Sequence, residues 1–131
     1  MILGIDYGEK RIGIAVSDDT ETLAVPSETL EPVSRDQLVD EIIRISAEKG
    51  VRTIVVGMPL SLSGAASAQT AVTQDFVAAL KKRLEIPVEV QDERLTSVEA
   101  DRGGVDAATR DARAAAIMLQ SYLDRQRAER S

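Results

Sequence analysis

The sequence predicts an α/β domain on a five-stranded mixed sheet, three antiparallel strands followed by parallel ones, with helices on both faces. Three observations predict it. The chain opens on two short apolar runs, Ile2 to Tyr7 and Ile12 to Ser17, joined by a tight glycine-containing turn, the pattern of a β-hairpin. The unbroken apolar run Thr53-Ile54-Val55-Val56-Gly57 has the composition of a parallel strand buried on both faces. Segments of helical period alternate with the later strands and are punctuated by Pro, Gly and Ser. The chain has 131 residues and no linker or repeat, so one domain is expected. A chain of that size buries roughly two-thirds of its unfolded surface, enough for a core without staples.

Taken in order, the first strand carries no polar side chain from Ile2 to Ile5, so it is expected at the centre of the sheet and covered on both faces. It places Ile2, Gly4 and Asp6 on one face and Leu3, Ile5 and Tyr7 on the other. The second strand separates Ile12, Ile14 and Val16 from Gly13, Ala15 and Ser17. Gly4, Gly13 and Ala15 therefore make a surface of small residues on the side of Asp6, where another element could approach closely, unless the glycines serve only to permit twist or a bulge. Thr22 to Leu30 reads as a third strand, and Pro26 puts it at an edge. Ser34 and Gln37 form a capping box for a helix that buries Leu38, Ile42 and Ile45, with Val39 and Ile43 alongside, and Lys49-Gly50 closes it. After the strand at 53–57, residues 58–66 form a loop. A helix then carries Val72, Phe76, Leu80 and Leu84 at four-residue spacing and stops at Pro87.

Val88 to Gln91 is a short strand. Thr96-Ser97-Val98-Glu99 is a second capping box, opening a short helix that Arg102-Gly103-Gly104 breaks. The last helix is expected from about Thr109, with Ala115, Met118, Leu119, Tyr122 and Leu123 facing inward. Its charged tail, Asp124 to Ser131, is expected to fray.

Composition narrows the chemistry. There is no cysteine and no histidine, which removes disulfides, thiolate and imidazole metal sites, and histidine general bases. Sixteen basic side chains stand against 22 acidic ones, a net charge of −6, which disfavours an extended nucleic-acid coat but leaves room for a basic rim around an acidic, cation-loaded site. No signal peptide or membrane-length apolar stretch is evident, so no membrane partner and a cytoplasmic location are expected.

Acids at three apolar boundaries draw attention: Asp6 at the end of the first strand, Asp92-Glu93 at the end of the fifth, and Asp111 in the first turn of the last helix, on its sheet-facing side. Each alone has an ordinary explanation as a turn acid, a solvated strand end or a helix-dipole partner. Together they can converge at one sheet edge, where they would repel one another unless a cation lay between them. Oxygen-only ligands suit Mg²⁺ or Mn²⁺, and two such ions roughly 3.5–4 Å apart are the usual apparatus of phosphodiester hydrolysis. Gly57, after a buried strand at the same edge, could admit a substrate backbone or could simply be a turn residue. Lys10, Arg11, Arg94, Arg102, Arg110 and Arg113 supply cations that could grip phosphates, although any one of them could equally be ordinary surface charge.

Four motifs in order, Gly4-Ile5-Asp6-Tyr7-Gly8 with Arg11-Ile12-Gly13-Ile14-Ala15-Val16-Ser17-Asp18, then Val55-Val56-Gly57-Met58-Pro59-Leu60, then Asp92-Glu93-Arg94-Leu95-Thr96-Ser97, then Asp111 with Ala114 to Leu123, resemble the YqgF (RuvX) family nearly end to end. The resemblance implies an RNase H-like fold and a metal-dependent endonuclease. It is a family associated with 5′-end processing of precursor 16S rRNA and with Holliday-junction resolution. It implies Asp6, Glu93 and Asp111 as catalytic, metal-binding carboxylates, choosing Glu93 over Asp92. With it come Mg²⁺ or Mn²⁺, in a two-metal site, as cofactor. The expected nucleic-acid contacts are Lys10, Arg11, Gly57, Arg94, Thr96, Arg110 and Arg113. The expected partner is nucleic acid, pre-rRNA or branched DNA, with a homodimer as one open option. Two departures stand out: the segment from Arg102 to Thr109 is shorter and less basic than in most members, and Ala114 stands where some related resolvases carry a fourth acid.

Two rival classes remain at this stage. A sugar-kinase or actin-like phosphotransferase opens on a similar hairpin but needs a second lobe and a longer chain. A non-catalytic ribosome-assembly factor would keep the fold and bind RNA without cutting it.

Overall fold

The computed structural model describes residues 1–8, 10–58, 68–92 and 107–130. Along them run β1 (Ile2–Tyr7), β2 (Ile12–Ser17), β3 (Ala24–Leu30), α1 (Arg35–Lys49), β4 (Thr53–Met58), α2 (Ala68–Arg83), β5 (Val88–Asp92) and α3 (Ala107–Arg130). The short helix expected from Thr96, the break at Arg102-Gly103-Gly104 and most of the loop after β4 lie outside the described residues.

The strands lie in the order β3-β2-β1-β4-β5. β1 pairs antiparallel with β2 and parallel with β4, and β4 pairs parallel with β5. The all-apolar strand is thus the central one, as its lack of polar side chains requires. β3 is an edge strand, and it begins at Ala24 rather than Thr22 because Asp18 takes the Thr22 and Leu23 amides into a side-chain-capped turn (2.8 and 3.2 Å). Pro26 pairs with Ala15 beside a register shift between Ile14 and Ala15, a place where a missing N–H is tolerated.

Two cores follow from the strand alternation. Leu3, Ile5, Ile12, Ile14, Ile54 and Val56 face α1 and α2. Ile2, Ala15 and Val55 face α3, which contributes Ala115, Met118, Leu119, Tyr122 and Leu123. α1 is capped as its sequence demands: Ser34 accepts from the Gln37 amide at 3.1 Å, the Gln37 side chain accepts from the Val33 amide at 2.6 Å, and Gly50 takes the left-handed conformation at φ 67°.

α2 corrects one expectation. Val72 is 46 % exposed, and the buried face is Thr70, Thr73, Phe76, Val77 and Leu80. The four-residue apolar spacing drifts off a 3.6-residue period, and the two threonines complete the inner face in place of Val72. The Thr73 hydroxyl makes this possible by donating to the Gln69 carbonyl at 2.8 Å. α3 corrects another. It begins at Ala107 and stays helical to Arg130 instead of fraying after Asp124. Its tail is tied by Gln126 donating to the Tyr122 hydroxyl at 3.0 Å, by Arg127 to Asp124 at 2.7 Å, and by Arg125 to the buried Gln91 of β5.

Candidate active site

The site is built by the close approach of α3 to the hairpin. A Cβ placed on Gly13 would lie 2.0 Å from the Asp111 carbonyl oxygen, and one on Gly4 would lie 2.9 Å from Leu119 Cβ. Real side chains do not pack at those distances, so α3 can cross β2 and β1 only because both positions lack a side chain. The surface of small residues legible in the sequence is therefore the seat of the last helix.

Register carries this to the acids. Asp6 pairs with Gly13 on one side and with Gly57 on the other, and Gly57 pairs with Gln91. Paired residues point to the same face of a sheet, so Asp6 lies on the α3 face, one strand from the glycine that carries the Asp111 backbone. Asp111, at 23 % side-chain exposure, enters the same rim from the second turn of α3 rather than the first, because the helix begins at Ala107 and its first turn carries no acid. Asp92, partly buried and paired with Met58, ends β5 at this edge. Glu93, Arg94 and Thr96 lie outside the described residues, and among the described residues no group of three potential metal ligands occurs.

The cation beside Asp111 is one that sequence proximity did not single out. Arg11 Nε donates to Asp111 Oδ2 at 2.7 Å across 100 positions of chain. This hydrogen bond, reinforced by Coulombic attraction, raises the guanidinium pKa. The signal available in the sequence was positional: Arg11 leads into the strand whose Gly13 seats α3. Arg110 and Arg113 are partly buried on α3. Lys10 is exposed and lines a cavity with Tyr7, Ile12 and the start of α1, on the sheet face opposite α3. Gln91 is held inside by its amide donating to Ser121 of α3 at 3.3 Å.

The residues fit a hard divalent cation in two respects. The donors are carboxylate oxygens, and the glycine cradle that a Cβ would fill brings the Asp111 segment against the strand beside Asp6.

Comparison with known proteins shows what the chain is similar to. A family model described as RuvX, Holliday junction resolvase, matches residues 1–125. A protein of Chloroflexus aggregans, provisionally named a pre-16S rRNA nuclease, is 42% identical over 134 residues, covering 96% of this chain and 94% of its own. One of Maridesulfovibrio salexigens with the same provisional name is 35% identical, covering 95% and 98%. Among solved structures, T. thermophilus RuvC in complex with a Holliday junction substrate superposes with a TM-score of 0.65 at 11% identity, covering 96% of this chain and 94% of that one. The fowlpox virus Holliday junction resolvase does so at 0.53 and 13%, covering 95% and 98%. These two likenesses speak to the fold, and they bear out the RNase H-like sheet with its three antiparallel and two parallel strands.

Proposed function

Because the chain belongs to the RuvX family, we propose that it is a nuclease that hydrolyses phosphodiester bonds in structured nucleic acid, in 5′-end processing of precursor 16S rRNA. The observation that carries the site is the register Asp6–Gly13 with Asp111 seated on Gly13, which joins residues 6 and 111 at one rim of the sheet. Asp6, Glu93 and Asp111 would hold Mg²⁺ or Mn²⁺, in a two-metal arrangement. When bound, such ions supply a water activated for attack and offset the charge that develops on the phosphate oxygens.

The chain's own residues do the rest. Asp6 stands on the central strand, buried on both faces beneath it, so its position is set by a strand paired on both sides. Asp111 rides on α3 and is oriented by Arg11. Gly57, in register with Asp6, offers a substrate backbone no side chain to clear. Arg94, Thr96, Arg110 and Arg113 would hold flanking phosphates, the guanidinium groups by forked hydrogen bonds, whereas the expected contact by Lys10 is disfavoured by its place on the sheet face opposite α3. With no histidine in the chain, no imidazole base takes part. Processing of precursor rRNA would place this work in the cytoplasm. A second reading, resolution of branched DNA, is favoured by the family's description and by the resolvase-like fold.

The test is a side-by-side cleavage assay in Mg²⁺ and in Mn²⁺ on a precursor 16S 5′ fragment and on a four-way DNA junction. Asp6→Asn should abolish cleavage of whichever substrate the parent cuts and leave the melting temperature within a few degrees. Cleavage at the parental rate by Asp6→Asn would remove Asp6 from the site. Unchanged RNA binding with no cleavage by the parent in either metal would turn the reading to a non-catalytic assembly factor.

A further inference from the structure

We propose that the furrow between α1 and α2 is the track of a single-stranded flank of the nucleic acid, held by Arg35 and Lys82 as it leaves the rim where β1 ends. The proposal rests on the chain acting on nucleic acid and adds which part of the substrate this face takes.

Three cavities of about 330, 310 and 180 Å³ follow one another along these helices. Arg35 lines all three, while Tyr7 and Asp75 each line two, so they form one furrow rather than separate dimples. Its upper end lies at Tyr7 and Lys10, off the α3 face, where Tyr7 follows Asp6 at the end of β1. Its lower end lies at Lys82 and Arg83, and α2 rises about 15 Å between Val72 and Lys82. Packed helices stand roughly 8–10 Å apart axis to axis, which leaves a surface furrow for one strand and not for a duplex.

Charge and lining favour a polyanion with bases. The chain has a net charge of −6, yet the furrow offers Lys10, Arg35, Lys82 and Arg83 against Asp36 and Asp75. Arg83 is committed to Asp40 at 2.6 Å, and Arg44, Arg52 and Arg127 are likewise held by carboxylates. Among the described residues Arg35 and Lys82 make no ion pair. Val72, the valine turned out of the core at 46 % exposure, lines the furrow, and so does the Tyr7 ring, fixed by Phe76 at a centroid distance of 4.8 Å. A fixed aromatic face beside backbone-gripping cations is the combination that holds single strands. An acidic peptide would answer the charge, but nothing would then relate the furrow to the rim that carries Asp6.

The test is fluorescence-anisotropy titration of the full chain, in EDTA so that nothing is cut. The probes are a blunt RNA hairpin and the same hairpin with a uridine tail of about ten nucleotides at its 5′ or its 3′ end. The parent should bind one tailed form about tenfold more tightly than the blunt one, with a salt slope steeper by about 1.4, the counterion release of two single-strand phosphate contacts. Arg35→Ala and Lys82→Ala should each weaken that tailed form roughly three- to fivefold, lower its slope by about 0.7 and leave the blunt form unchanged. Asp75→Asn should tighten the tailed form alone, and Lys49→Ala, which removes a charge outside the furrow, should change neither. A parent that gains neither affinity nor salt dependence from either tail overturns the proposal without recourse to a variant. Arg35→Ala and Lys82→Ala that bind the tailed form as the parent does overturn it too. In both cases binding of the hairpin leaves the nuclease reading standing. A parent that binds neither hairpin nor a four-way DNA junction takes the nucleic-acid reading down with it. Displacement of the tail by oligoglutamate as readily as by oligouridylate of equal length would assign the furrow to an acidic peptide instead.

Discussion

α3 spans the sheet from one rim to the other, and the two rims treat charge differently. At the rim where β1, β4 and β5 end, it brings Asp111 toward Asp6, and the Arg11–Asp111 pair is single and partly open. At the opposite rim it brings Tyr122, whose hydroxyl donates to Glu89 at 2.5 Å. There Glu21 is held by both Arg52 guanidinium contacts and by the N-terminal ammonium at 3.4 Å. Arg52 also donates its amide to the Met1 carbonyl at 3.0 Å, which ties the start of β1 to the approach to β4. Glu21 adopts φ 59°, a left-handed conformation costly for a side chain of its kind, and its pairing with two cations stabilises that turn. The charges of one rim are matched to one another. Those of the other, on the proposed reading, would hold a cation and its substrate. Alteration of the first should therefore register as stability, and of the second as activity.

The substitution expected to have the largest effect tests the element common to both. Gly13→Ala drives a Cβ into the Asp111 carbonyl, which is backbone and cannot rotate away. It should destabilise the fold by about 3 kcal/mol, the upper range for an overpacked contact, and remove cleavage as well. A stable and active Gly13→Ala would mean that α3 need not sit on β2 at all. Next is Tyr122→Phe, which leaves the ring in place and removes the hydrogen bond to Glu89. It should lower stability by about 1 kcal/mol in urea unfolding, with cleavage unchanged. Loss of cleavage without loss of stability would break the division between the rims.

The smallest effect, and the most diagnostic, is that of Arg52→Ala. Glu21 has its pKa lowered, chiefly by the hydrogen bond from Arg52, with burial opposing. A lowered folded-state pKa gives stability that is present above the unfolded value of about 4.3 and lost as the pH falls through the folded one. Arg52→Ala should thus cost under about 1 kcal/mol near pH 7, and its gap from the parent should close below about pH 4. A gap that persists in acid would show that Arg52 acts through packing of its stem rather than through Glu21. Cleavage should be unaffected throughout.

Much of this arrangement was legible in the chain because it depends on local patterns. The unbroken apolar run in β1 predicted the central strand, and Pro26 predicted an edge. The alternation of Gly4, Gly13 and Ala15 predicted a close approach on the face of Asp6, and α3 makes it. Other features were hidden because they depend on what the far side supplies. Val72 fitted an apolar stripe, but Thr70 and Thr73 complete the buried face of α2. The tail of α3 looked too charged to persist, yet Tyr122, Asp124 and Gln91 give its polar side chains partners. Arg11 was one candidate cation among several, and no spacing rule links it to a residue 100 positions away.

By itself the sequence determined the types of the described strands and helices, the central strand, the exclusion of imidazole and thiolate chemistry, and the family, since periodicity, capping and the absence of His and Cys are properties of short stretches and of composition. Only the tertiary structure decided that Asp111 meets the hairpin over Gly13 and that Arg11 is the residue holding it. Those facts rest on the distance between backbone atoms of α3 and β2, which no local pattern encodes and which the missing side chain at residue 13 allows to be so short.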